Sequence, residues 1–133
     1  MLFRSAKTCN VLHAVEIDRR FGAAGVRAFS VHPGGIHTEL GRYMTPEVIQ
    51  SLMSRLSERP TALTWKTPEQ GAATTVWAAT SSLLDGRGGE YCEDCNVSPV
   101  VDDEADAAIG VASRAVDPTR ATALWELSER LVG

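Results

Sequence analysis

Val26-Arg27-Ala28-Phe29-Ser30-Val31-His32-Pro33-Gly34-Gly35 has the pattern of a strand that runs into a glycine loop. Val26 to Val31 is a short β-prone run, and His32-Pro33-Gly34-Gly35 ends it. Proline cannot donate to a sheet ladder, and the paired glycines permit unusual backbone angles. Upstream, the segment from about Ser5 to Phe21 predicts a helix. Val11, Leu12, Val15 and Ile17 supply its apolar side, and Glu16 and Arg20 form an i,i+4 pair. Gly22 and Gly25 stop it, as glycine does when it takes a left-handed C-terminal position. Helix, tight turn, short strand and glycine-rich loop make one unit of an α/β sheet.

Three further helices announce themselves by a cap residue followed by proline, at Thr45-Pro46, Thr67-Pro68 and Asp117-Pro118. The first carries Val48, Ile49, Leu52, Met53 and Leu56 on one side. The second opens with the capping-box pattern Thr67-Pro68-Glu69-Gln70 and continues through Ala72, Ala73, Val76, Trp77 and Ala78, small enough to pack closely on a sheet. Asp85-Gly86-Arg87-Gly88-Gly89 then turns into a second strand near Glu90 to Cys92. The last helix presents Ala121, Leu124, Trp125 and Leu131, and the acidic stretch from Val101 to Ala115 predicts an ordered loop. A long helical crossover between two strands implies a parallel pair, and parallel sheets are covered on both faces. Two strands are too few for that, so the chain reads as one side of a larger α/β sheet.

Composition narrows the function classes. The 133 residues, 44% hydrophobic and 23% charged, suit one ordinary globular domain. Seventeen acidic against thirteen basic residues, a net charge of -4, argue against a nucleic-acid binder, which needs clustered Lys and Arg on phosphates. No apolar run reaches the ~20 residues of a membrane span, and Met1 to Lys7 lacks the apolar core of a secretory signal, so a cytoplasmic location is expected. Cys92-Glu93-Asp94-Cys95 is a C-x-x-C without a second pair for zinc, and it follows a glycine turn and strand rather than opening a helix. Free, reduced thiols at a strand end are expected, with no metal site.

Phe3 and Lys7 are four apart and so project from one helix face. Phe3-Arg4-Ser5-Ala6-Lys7-Thr8-Cys9-Asn10 resembles the active-site helix of the short-chain dehydrogenase/reductases, whose pattern is Tyr-x-x-x-Lys. Ser30 to Thr38 resembles that family's Pro-Gly-x-(Val/Ile)-x-Thr nicotinamide segment. Lys66 to Ala73 and Leu84 to Cys92 are similar to the retinol-dehydrogenase-like and WW-domain-oxidoreductase-like branch.

The resemblance implies a Rossmann-like doubly wound parallel sheet, of which residues 1–133 would be a single C-terminal, truncated part, helix-rich with few strands. It implies an NAD(P)-dependent oxidoreductase interconverting a small-molecule carbonyl and an alcohol. Lys7 would bind the nicotinamide ribose and lower the pKa of a tyrosine one turn away, from an ordinary value near ~10. Pro33, Gly34, Gly35, Ile36 and Thr38 would form the nicotinamide segment, with the Ile36 backbone close to the carboxamide and the Thr38 hydroxyl adding a bond. Phe3 occupies the tyrosine position and has no hydroxyl. The glycine-rich phosphate loop, the ribose selector and the catalytic serine would precede Met1, so NAD or NADP binding by this chain alone is not expected. The competing expectation is a non-catalytic remnant or interaction module that pairs with another chain or with a second copy.

Overall fold

The computed structural model describes residues 2–36, 39–57, 65–102 and 109–133. Helix α1 spans Leu2–Phe21 and strand β1 spans Phe29–His32. Helices α2 (Pro46–Ser57) and α3 (Pro68–Thr80) cross over to β2 (Glu90–Glu93). The short strands β3 (Asn96–Val97), β4 (Val100–Val101) and β5 (Val111–Ala112) follow, and α4 (Pro118–Val132) closes the chain.

The crossover makes the expected parallel pair: Phe29 stands beside Glu90 and His32 beside Glu93. Helices α1 and α3 each pack on both β1 and β2. Tyr91 packs into the cluster of Val11, Val111 and Ala115, and strand alternation turns its neighbour Cys92 to the opposite face, where it is fully buried. The parallel pair is therefore covered on both sides, and the architecture is the helix-rich α/β part of a doubly wound sheet.

Turn chemistry sets the joints. Gly25 takes φ +86 after the 3-10 turn Gly22–Ala24, where the N–H of Gly25 closes on the Gly22 carbonyl. The Asp18 carboxylate then gathers the sheet's lower end. It accepts from the Ala28 amide at 3.2 Å and from Arg27 Nη2 at 3.0 Å. Arg27 Nε in turn donates to the Arg87 carbonyl at 2.7 Å.

Helix α4 docks on α1 through Glu16, whose side chain is fully buried. Its carboxylate accepts from Arg19 Nε and Nη2 at 2.8 and 2.6 Å, from Arg20 Nε at 2.6 Å and from Thr122 Oγ1 at 3.2 Å. Trp125 lies over the His13 ring at 5.2 Å, with the Arg20 guanidinium 4.9 Å above its own ring.

Several expectations need correction. Helix α1 begins at Leu2, three residues before Ser5. Strand β1 begins at Phe29, because Val26 to Ala28 are occupied by the turn and the Asp18 contact, and it includes His32. The stretch from Val101 to Ala115 is not only loop: β4 and β5 pair in parallel, and Val111 and Ala115 are core residues. The buried positions of α3 are Gly71 and Thr74, while Ala72, Ala73 and Val76 are exposed, on the opposite side of the helix. On α4 the packed residues are Ala121, Leu124 and Trp125; Leu131 is exposed, past the end of the α1 contact. Val48 and Ile49 of α2 are exposed, and the Leu52, Met53 and Leu56 side chains lie outside the described residues.

Candidate functional site

In open α/β sheets, ligands sit outside the C-terminal ends of the parallel strands. Here that end of β1 is the loop Pro33-Gly34-Gly35-Ile36, and four contacts shape it. The Gly34 N–H donates to His32 Nδ1 at 3.1 Å. Gly34 sits at φ +87, a conformation side chains rarely adopt, and a Cβ there would fall 2.9 Å from Cδ, Cε and Nζ of Lys66. The Lys66 N–H donates to the Gly35 carbonyl at 2.8 Å, and Ile36 forms a parallel bridge with Lys66. A Cβ on Gly71 would fall 2.9 Å from Ile36 Cγ1 and closer still to its Cδ1. Any side chain at position 71 would force Ile36 to shift.

The start of α3 is set by its own capping box. Thr67 Oγ1 accepts from the Gln70 N–H at 3.3 Å and Gln70 Oε1 accepts from the Thr67 N–H at 2.9 Å. That phase places Lys66 beside the loop, and Gly71 under it. Beyond the loop, the Lys66 ammonium pairs with Asp94 Oδ1. Asp94 and Cys95 form the two-residue turn between β2 and β3, with φ +50 and +54. The Cys95 N–H donates to the buried Thr74 Oγ1 at 3.2 Å.

Lys7 comes from α1. Successive contacts show α1 running antiparallel to β2: Asp18 lies against Gly88, Val15 against Gly89 and Val11 against Tyr91. At ~1.5 Å per helical residue, Lys7 stands about 16 Å above Asp18. At ~3.3 Å per strand residue, Pro33 stands about 16 Å above Ala28, which Asp18 anchors. The exposed Lys7 is therefore at the same end of the sheet as the Pro33 to Ile36 loop. Phe3 lies in the first turn of α1; its side chain, and Thr38 entirely, fall outside the described residues.

Tyr91, whose ring is 6.5 Å from that of His32, offers no replacement for a catalytic tyrosine. Burial, and then the Glu93 carboxylate, push its hydroxyl up to about 12. The C-x-x-C likewise carries no assembled chemistry. Cys92 is buried, with its thiol pushed up by burial, and Cys95 is exposed at the hairpin tip; both are free. Among the described residues no cluster of three His, Cys, Asp or Glu could hold a metal ion.

The loop and Lys7 are the residues that could hold a cofactor: glycine backbone at a strand's C-terminal edge, with a cation level with it. The starts of α3 and α4 offer less to an anion. Each opens with proline, which has no N–H, and one first-turn amide is already bonded to the cap residue: Gln70 N–H to Thr67 Oγ1, and Arg120 N–H to Asp117 Oδ1 at 2.9 Å. Gly86 to Gly89 lead into a strand instead of a helix. Lys66, Gly71 and Asp94 are not among the site residues expected from the sequence, although Lys66 and Gly71 lie in the Lys66 to Ala73 stretch and Asp94 in the C-x-x-C. A glycine inside a helix, as at Gly71, usually has a packing reason.

No family model matches the chain. It is 37% identical over 130 residues to short-chain dehydrogenase/reductase prx1 of Penicillium rubens, covering 98% of this chain and 37% of that protein. A probable oxidoreductase of Streptomyces lividans is 39% identical over 126 residues, covering 93% of this chain and 42% of the relative. The WW domain-containing oxidoreductase of Gallus gallus is 35% identical over 133 residues, covering 99% of this chain and 28% of the relative. The chain thus spans less than half the length of the curated relatives it matches. Among the described residues no helix is long and apolar enough to cross a membrane. Over nearly its whole length the chain is similar to proteins named short-chain dehydrogenase/reductase and oxidoreductase, of which it matches only part.

Proposed function

We propose that residues 1–133 form one partial Rossmann-like domain that supplies the nicotinamide-facing part of an NAD- or NADP-dependent oxidoreductase site. The reaction is the interconversion of a small-molecule carbonyl and an alcohol, in the cytoplasm. The observation that carries this reading is the glycine loop at the C-terminal end of β1, pinned by Lys66 and Gly71 and level with Lys7. When bound, the cofactor supplies or takes up the hydride. Lys7 would bond the ribose and, as a cation, favour an ionised partner beside it. The backbone of Pro33, Gly34, Gly35 and Ile36, with Thr38, would orient the nicotinamide ring. A phenylalanine at position 3 can exchange no proton, so this portion by itself lacks the acid/base group.

The phosphate-binding half must come from another segment or chain. The test is a titration of NADH and NADPH into the 133-residue chain, and into the chain fused to a family front half with its glycine loop. The expected result is no measurable binding to the chain and binding to the fusion, weakened by Lys7→Ala. Saturable micromolar binding to the chain alone, or a fusion indifferent to Lys7→Ala, refutes the reading.

A second reading, a non-catalytic module that pairs with another chain or a second copy, is favoured by the edge of β1. Among the described residues β1 pairs on one side only, leaving a row of backbone groups available to another strand. Sedimentation that finds a cooperatively folding monomer counts against it.

A further inference from the structure

We infer that Lys66 is a positioning residue, paired with Asp94 to hold the Pro33-Gly34-Gly35-Ile36 loop in the shape that receives the nicotinamide ring. This rests on the cofactor reading above and adds to it a residue that lies outside the Pro33 to Thr38 segment. Lys66 grips the loop in three ways at once. Its N–H bonds the Gly35 carbonyl, its backbone bridges Ile36, and its methylenes and ammonium cover Gly34 so closely that a side chain there would have to displace them.

The grip is closed into a ring by the hairpin. Lys66 Nζ pairs with Asp94, the adjacent Cys95 amide bonds Thr74, and Thr74 lies one turn after Gly71, on which Ile36 rests. The ion pair is what joins the loop side of this ring to the hairpin side. With Asp94 on the surface, such a pair contributes little to global stability. Its effect is on where the loop sits. That separates positioning from a structural role: breaking the pair should leave the melt unchanged and alter only what depends on loop geometry.

Lys66→Met keeps the covering stem and removes the charge; Asp94→Asn removes the other partner. In the full chain, amide hydrogen exchange at position 66 and at Gly34 should quicken in both variants while the thermal midpoint stays at the parent's. In the chain fused to a front half, each variant should weaken NADH or NADPH binding by about tenfold, the order expected of a small misplacement. ADP-ribose, which lacks the nicotinamide, should bind as before. The double variant should be no worse than either single one, since both break one pair. Unchanged exchange, or equal weakening of dinucleotide and ADP-ribose, overturns the proposal while leaving the cofactor reading intact. A native fusion that binds neither ligand overturns the cofactor reading and the proposal with it.

Discussion

Gly71 in α3 lies directly beneath Ile36 in the loop that ends β1, so closely that a Cβ would overlap the isoleucine's terminal methyl. A helix interior normally favours alanine over glycine by ~1 kcal/mol. Here the contact should reverse that sign. Gly71→Ala is expected to destabilise the chain by about 1–3 kcal/mol, the usual range for overpacking. It should also displace Ile36 and with it the loop. Urea unfolding checks the first and the Gly35 amide shift checks the second. A more stable Gly71→Ala protein would show that Ile36 does not rest there.

Glu16 ties α1 to Thr122 of α4 from a fully buried position. Hydrogen bonds from Arg19 first, and from Arg20 and Thr122, outweigh burial and pull its carboxyl from the ordinary 4.5 down to about 2. The folded value lies below the unfolded one, so the group's contribution is complete above about 4.5 and is lost as pH falls toward about 2. Glu16→Gln should therefore lower the melting temperature at neutral pH. The gap between variant and parent should narrow at about pH 3. A gap that is constant across that range would show that Glu16 does not titrate with folding.

The two thiols of the C-x-x-C should behave differently. Cys95 sits exposed on the hairpin tip, whereas Cys92 is buried in β2 with its thiol pushed up by burial. A thiol reagent under native conditions should label Cys95 and reach Cys92 only when the chain unfolds. Equal labelling rates, followed by mass spectrometry of the peptides, would contradict the buried placement of Cys92.

Phe3 allows the effect of a hydroxyl at position 3 to be tested apart from phosphate binding. In the fusion with a family front half, Phe3→Tyr should raise kcat by ~10²–10⁴-fold, the usual worth of a general acid/base. Cofactor affinity should change little, because Lys7 and the Ile36 loop are the same in both proteins. An unaltered kcat in a fusion that binds cofactor would mean that position 3 is not the catalytic position of this helix.

The helix starts were legible because they are local. Thr67-Pro68-Glu69-Gln70 folds back on itself within one turn, and Asp117 caps the Arg120 amide three residues on, so four consecutive residues carry the whole signal. The parallel pairing of β1 with β2 was legible for a topological reason, since parallel strands need a long crossover, usually helical, and one stands between them. The β4 and β5 pair was not. Val100–Val101 and Val111–Ala112 are each two residues long, too short to show a period, and they pair only because the hairpin and Gly110 bring them together.

The candidate site divides the same way. Sequence alone determined that Lys7 stands on a helix, that Pro33 and Gly34 end a strand, and that Phe3 brings no hydroxyl, because residue type and near-neighbour spacing are enough for each. Packing between distant segments is what lays Lys66 over Gly34, sets Asp94 against Lys66 across 28 residues, and brings Gly71 up to Ile36. Those relations are set by which surfaces meet when α3 and the β2–β3 hairpin close on one loop. No stretch of sequence contains both sides of such a contact.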